Sequence, residues 1–275
     1  MSLKSGMITK VKMPSIHPFD FQIKYTETNR RTHEYEINLH THSEFELYIN
    51  LAGNVSFLVE DSLYPLSRGD VIIARPGEAH HCVYRDDTPH KLFWILFDCK
   101  KNAQFWDFLQ ESFCDNFISP KKDLREELIA LCCSLHNGAR TQEESLYALL
   151  RIFEILKKSR STLTAKRAEM PRELNEIMAY INDHISEEIT VTDIAKTFYI
   201  SKSTLERRFK DTLAMRPSEF IRRKKLIYAA ELLKNGESVL NAGTSVGYKD
   251  NSYFIELFKQ YYSMTPYQYK KKISK

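Results

Sequence analysis

The sequence predicts a multidomain α+β chain. A β-rich N-terminal region is followed by a run of helices, then by an all-α C-terminal region of two helix–turn–helix units with a longer helix between them. Three observations carry this. Residues 15 to about 98 hold short β-branched and aromatic runs broken by turn residues. From about Asn102 the apolar residues recur at helical spacing. Near the C-terminus a phrase is written twice. Phe209-Lys210, Met215, Pro217 and Phe220 recur as Phe258-Lys259, Met264, Pro266 and Tyr269, with Leu205 and Phe254 upstream, all at an offset of 49 residues. Self-similarity at a fixed offset marks a duplicated structural unit.

The strand candidates are Glu46–Leu51, Val55–Val59, Asp70–Ala74 and Leu92–Phe97, punctuated by Gly53-Asn54, Arg68-Gly69-Asp70 and Pro76-Gly77. Strands this short and this close suggest a sandwich or barrel over residues 1–100. Helical spacing follows in Phe105, Phe108 and Leu109, in Leu124, Leu128 and Leu131, and in Leu146, Leu149, Leu150, Phe153 and Leu156. This 101–160 segment reads either as a dimerisation face, which would make the chain a homodimer, or as a cover for the β region. Residues 161–171 read as a linker, and 172–275 as the last domain. There Leu174, Ile177, Met178, Ile181 and Ile185 line one helix face. Thr190 and Asp193 form a capping-box-like start to a helix ending near Thr197. Ser201 opens the next helix, through Lys210. Pro217 suits the first turn of a longer helix, with Gly236 just past its end. Ser238, Gly247 and Asp250 mark the start, turn and second helix of the second unit, and Pro266 starts a terminal helix.

A length of 275 residues suffices for two cored domains, and 43% hydrophobic with 28% charged residues is ordinary for a globular chain. No apolar run approaches the ~18 residues of a membrane span. The start MSLKSGMITK lacks the apolar core of a secretion signal. Five cysteines without a C-x-x-C pair fit reduced thiols. Together these point to the cytoplasm. The net charge is +4, but residues 166–275 carry 20 Lys and Arg against 14 Asp and Glu. That excess fits a phosphate-rich partner. There is no nucleophile–His–Asp arrangement, P-loop or dinucleotide fingerprint, so an enzyme is not the first expectation and no cofactor is expected.

A recognition helix needs an apolar inner face and a short-polar or basic outer one. In the first unit Leu205 and Phe209 anchor. Ser203, Thr204 and Arg207 then project outward, and Ser201, Lys202, Arg208 and Lys210 flank them. In the second, Phe254 and Phe258 anchor, with Asn251, Ser252 and Glu256 outward and Lys249 and Lys259 beside them. Arginine pairs guanine, asparagine pairs adenine and glutamate accepts from cytosine. Residues 172–272 resemble the DNA-binding domain of the AraC/XylS family of bacterial transcription regulators. The resemblance lies in Ile194-Ala195, Ser201, Leu205, Arg207, Phe209-Lys210, Pro217, Ala230, Leu232-Leu233, Val246-Gly247-Tyr248, Asp250, Tyr253-Phe254, Phe258-Lys259 and Pro266. It implies two helix–turn–helix units bridged by a helix over about Ser218–Lys234, reading adjacent major grooves of an operator, with RNA polymerase as a further partner. Tyr199, Ala214 and Ser263 stand where the family often has glycine. Ala242-Gly243 replaces its Ile-Ala pair, which thins that helix's packing. Glu256 replaces an arginine, which favours the first unit for base readout.

His40-Thr-His42, Glu46 and Gly53, then Gly69-Asp70, Pro76-Gly77 and His80, resemble the two motifs of the cupin barrel, without the first motif's leading glycine. That resemblance implies a cupin-like sensor barrel. His40, His42, Glu46 and His80 would be metal ligands in a cupin enzyme. In a sensor the same residues read as small-molecule contacts or as packing. Phe45, Tyr48, Phe57, Tyr84 and Trp94 read either as core or as a stacking surface for a sugar. The expected function is a DNA-binding regulator answering to a small-molecule effector, by resemblance a carbohydrate, held near His40, His42, Glu46, Tyr48, His80 and Trp94. A metal-dependent cupin enzyme with a regulatory tail, and a constitutive regulator with a scaffold barrel, are the alternatives.

Overall fold

The computed structural model describes residues 8–11, 20–28, 39–98, 109, 115–138, 141–159 and 170–273. The chain divides into two compact units, Met1–Ala168 and Glu169–Lys275. Phe105, Phe108 and most of the expected linker lie outside the described residues, as do Cys99 and Cys114. Cys82, Cys132 and Cys133 are free thiols.

The first unit holds β1 (Ile8–Val11), β2 (Asp20–Thr28), β3 (Phe45–Ala52), β4 (Val55–Val59), β5 (Ser62–Leu66), β6 (Val71–Ala74), β7 (His80–Tyr84), β8 (His90–Asp98) and β9 (Phe117–Ile118). Helices α1 (Lys122–His136) and α2 (Gln142–Ser159) follow. One antiparallel sheet runs β1-β2-β8-β3-β6-β9 and the other β5-β4-β7. Strands β1, β2, β5, β7 and β9 were not expected, and β9 falls in the 101–160 segment read as helical. Pro65 interrupts β5 near its end, and His80-His81 gave β7 no β-branched run.

Side chains alternate across a strand, so each strand of the larger sheet has two audiences. Odd-numbered Ile23, Leu47, Ile49, Phe93 and Ile95 join Leu128, Leu135, Leu149, Ile152 and Leu156 of α1 and α2 in one core. Even-numbered Tyr48, Ile72 and Leu92 meet Phe57, Tyr64 and Cys82 of the smaller sheet in a second. The helices therefore spend most of their apolar stripe within the unit, and among its described residues Tyr147 and Leu150 of α2 are the large exposed apolar side chains. Phe45, read either as core or as a stacking surface, is core: it joins the cluster shared with α2 and stacks on Phe97 with centroids 5.3 Å apart.

The second unit is all helical: α3 (Arg172–Asp183), α4 (Val191–Thr197), α5 (Lys202–Leu213), α6 (Pro217–Lys234), α7 (Val239–Ser245), α8 (Asn251–Tyr262) and α9 (Pro266–Ile273). Thr190 and Asp193 form the reciprocal capping box of α4. Ser201, Ser238 and Asp250 cap α5, α7 and α8 with their side-chain oxygens, which satisfies amides that have no partner within the helix. Pro217 opens α6, where a missing N–H costs nothing. The repeat is also one of contacts. Phe209 meets Phe220 edge-on at 5.6 Å, and 49 residues later Phe258 meets Tyr269 edge-on at 5.5 Å.

The three glycine-deficient positions adopt the left-handed conformation all the same: φ is 53° at Tyr199, 52° at Ala214 and 56° at Ser263. Ala214 and Ser263 end α5 and α8. Gly243 corrects the expectation of thin packing. A Cβ on it would lie 2.8 Å from Cδ1 of Phe254, so the anchor ring of α8 occupies the space. Among the described residues no helix is long and apolar enough to cross a membrane.

Candidate functional site

Within the first unit, the even-numbered face of the larger sheet lines a cavity of about 230 Å³. The lining is mixed: Lys24, Thr26, Glu46, Tyr48, Leu92 and Trp94 come from the larger sheet, Phe57 and Tyr84 from the smaller, and His40 and His42 from the segment before β3. Five of the six expected ligand contacts are thus neighbours on one cavity. The sixth, His80, lies fully buried beside it. Lys24 and Thr26 were missed, although Phe21, Ile23 and Tyr25 alternate with Gln22, Lys24 and Thr26 in the way a half-buried strand does.

The His–Glu cluster is built by strand pairing. His40 and His80 exchange two backbone hydrogen bonds of 3.1 and 2.9 Å, and the amide of Gly77 donates to the His42 carbonyl at 2.9 Å. Nδ1 of His42 donates to the Glu44 carbonyl, and Nδ1 of His80 to the Glu78 carbonyl, both at 2.9 Å. A carbonyl only accepts, so both Nδ1 atoms carry protons and both Nε2 atoms are aimed inward. His42 Nε2 lies 2.9 Å from Glu46 Oε2. Burial disfavours the imidazolium, but the hydrogen bond and charge of Glu46 outweigh it and raise the His42 pKa. Burial likewise opposes ionisation of Glu46, and the hydrogen bond from His42 with the nearby His80 ring reverses this, holding its carboxyl well below the usual carboxylate range. His42 and Glu46 form an ion pair.

His40, His42, Glu46 and His80 also form a candidate metal site. One ligand atom from each of His40, His42, Glu46 and His80 falls within 4.8 Å of the others. His80 Nε2 is buried without a hydrogen-bond partner, with Glu46 Oε2 3.5 Å away. Three imidazoles and a carboxylate suit a divalent transition metal. The donor set fits such an ion.

Lys24 Nζ lies 5.9 Å from the ring centroid of Trp94, its cross-strand partner. The Tyr48 hydroxyl is taken by His90 Nε2 at 2.6 Å, so Tyr48 offers the cavity its ring. Burial pushes the Cys82 thiol up to about 12, which leaves it an inert wall atom.

In the second unit Leu205 and Phe209 of α5, and Phe254 and Phe258 of α8, are fully buried, as anchors must be. The exposed face of α5 carries Lys202, Ser203, Glu206, Arg207 and Lys210. Three of the expected contacts sit differently. The Ser201 hydroxyl is the α5 cap, accepting from the Thr204 amide at 3.1 Å, and Thr204 Oγ1 bonds back to it at 2.8 Å. Arg208 pairs with Glu173 of α3 and is not a free cation.

On α8 Ser252, Tyr253, Glu256, Lys259 and Gln260 are exposed. Asn251 is half-buried with its Oδ1 enclosed, so it does not project as expected. Lys249 is exposed but pairs with Glu188 at 2.5 Å. Glu206, Tyr253 and Gln260 were missed; each keeps the i, i+3/i+4 spacing of the outward positions. Tyr199, in the turn before α5, is 97% exposed.

Two family descriptions match the chain. "AraC-like ligand binding domain" covers residues 24–169 and "Helix-turn-helix domain" covers 194–272. Among curated relatives, an HTH-type transcriptional activator RhaS of Citrobacter koseri is 30% identical over 240 residues, covering 82% of this chain and 85% of that protein. An HTH-type transcriptional activator RhaR of Mannheimia succiniciproducens is 26% identical over 255 residues, covering 90% and 91%. A lactose operon transcription activator of Staphylococcus xylosus is 22% identical over 235 residues, covering 82% of each. With one match spanning the β-rich unit, another the helix–turn–helix region and relatives alike over nearly their whole length, the chain belongs to the AraC family of transcriptional activators.

Proposed function

We propose that this regulator holds one sugar ring in the barrel cavity and reads two successive major grooves with α5 and α8. The observation that carries the first part is the cavity's mixed lining, in which polar side chains stand directly beside aromatic rings. Hydroxyl groups need paired donors and acceptors, which the His–Glu cluster with Lys24 and Thr26 supplies. A pyranose also has an apolar face, which Trp94 and Phe57 can cover. At about 230 Å³ the cavity is smaller than the 300–1,000 Å³ typical of drug-sized ligands, so it suits one ring rather than two. That a relative is named for the lactose operon is in keeping with a saccharide effector. An effector acts only through unequal affinity for two arrangements of the protein.

On DNA, Ser203 and Arg207 of α5 are the stronger readers, with the exposed Lys202 and Lys210 beside them to reach phosphates. Ser252, Glu256 and Lys259 of α8 are closer to neutral and serve mainly for positioning. Tyr147 and Leu150 are the candidates for a contact between two copies.

A second reading is favoured by the buried, unpartnered His80 Nε2. In it His40, His42, Glu46 and His80 hold a divalent metal, which would supply a Lewis acid for sugar hydroxyls.

Thermal melting of the purified chain against monosaccharides, disaccharides and divalent metals tests both. A ligand at one hundred times its Kd stabilises by ~2.7 kcal/mol. A monosaccharide response supports the first reading; a response needing metal, abolished by chelator, supports the second. Silence across the panel sinks the sugar-sensor proposal.

A further inference from the structure

The two halves of the DNA-reading unit meet at a place besides the helix they share. Lys225 lies midway along α6 and is only 6% exposed. Its Nζ donates to the carbonyl of Glu187, in the loop leading from α3 into the first helix–turn–helix, at 2.5 Å. The same ammonium lies 5.8 Å from the ring centroid of Tyr248, in the turn of the second helix–turn–helix. Gly247 completes the contact. Its φ is +78°, and a Cβ there would stand 2.8 Å from the Glu187 oxygen and 2.9 Å from Lys225 Nζ. Beside it Lys249 Nζ reaches Glu188 Oε2 at 2.5 Å. The turn of the second unit is thus laid on the loop that leads into the first, with a buried cation between them.

Burying an ammonium is unfavourable, and the burial holds the Lys225 pKa below its ordinary value. An apolar side chain of like length would pack here at less cost, so a buried cation of this kind is a reason to look for a positioning role. The position suggests one. α5 packs on α6, and α7, α8 and α9 also pack on α6. A helix carrying two loads swings them apart if it bends, whereas base contacts need placement within about 0.5 Å.

We infer that Lys225, the Glu187 carbonyl and Gly247 form a joint that sets the distance and angle between the two recognition helices, and so the half-site spacing the protein accepts. This rests on the reading that α5 and α8 both enter major grooves.

The test is selection of the full-length chain on a library of randomised DNA duplexes. Wild type and Lys225→Arg, which keeps a cationic donor, should enrich two motifs at one spacing. Lys225→Met and Gly247→Ala should enrich the same motifs at several spacings or the first alone. Their affinity for the wild-type duplex should fall about tenfold. A merely structural role would lower affinity and leave spacing unchanged. If Lys225→Met does not fold, Lys225→Gln serves in its place. Unaltered spacing and affinity in the variants overturn the joint alone. A single motif in the wild-type selection overturns the two-groove reading, and the joint with it.

Discussion

Gly243→Ala sets two physical effects against each other, and their sizes decide the sign. Gly243 sits inside α7 without a positive φ, so helix propensity alone favours alanine by about 1 kcal/mol. The new Cβ would however stand 2.8 Å from Cδ1 and 3.1 Å from Cγ of Phe254. That ring is fully buried, with Phe258 at 5.7 Å and Tyr248 at 5.6 Å between centroids, and has nowhere to retreat. Overpacking of this kind costs about 1–3 kcal/mol, which exceeds the propensity gain. The net expectation is a loss of about 1 kcal/mol, a drop of roughly 4–8 °C in the melting of a unit this size. Because Phe254 anchors α8, DNA affinity should fall as well. Urea unfolding of the full chain, followed by circular dichroism, reads the first effect, and binding to a selected duplex the second. Phe254→Leu added to Gly243→Ala should cost less than the two changes summed, since the smaller side chain yields the space. A Gly243→Ala protein that is more stable and binds DNA as before would refute the packing argument.

Ala214→Gly and Ser263→Gly should each raise stability by about 0.5–1 kcal/mol, because left-handed strain of ~1–2 kcal/mol exceeds the added unfolded-state entropy; thermal melting checks this, and both side chains are exposed, so no packing is lost. Arg207→Ala should weaken binding to a specific operator by about 1–3 kcal/mol and relax preference at one base position, with little loss on random DNA. Lys210→Ala and Lys259→Ala should lower affinity on all sequences and flatten its salt dependence, read from titrations at several salt concentrations. Trp94→Ala should abolish a sugar-induced rise in melting temperature while the unliganded chain keeps a cooperative transition; an undiminished rise would remove Trp94 from the effector's contacts.

Most of the DNA-reading unit was legible in the sequence because its signals are local. A cap is a side chain three residues from the amide it satisfies, and Thr190, Ser201, Ser238 and Asp250 could be read directly. The anchors at Leu205, Phe209, Phe254 and Phe258 follow from a four-residue spacing and a repeat. The β unit was less legible. Strand β7 begins with two histidines, and β2 lies in a stretch whose alternation went unused, so Lys24 and Thr26 were missed. His40, His42 and Glu46 could be grouped by spacing, but their cluster needed His80 paired against His40 across 40 residues of chain.

By itself the sequence determined the order of the C-terminal helices, the duplication and the grouping of His40, His42 and Glu46, since each depends on residues near one another in the chain. Only the tertiary structure decided which face each residue serves. It put Phe45 on the helix side and Trp94 on the cavity side, because a strand's alternation does not say which face is inward when both are buried. It turned Gly243 from a weakness into a seat for Phe254, and it laid Gly247 against the Glu187 carbonyl beside a buried Lys225. Close approaches of this kind join residues far apart in the chain, and no local pattern encodes them.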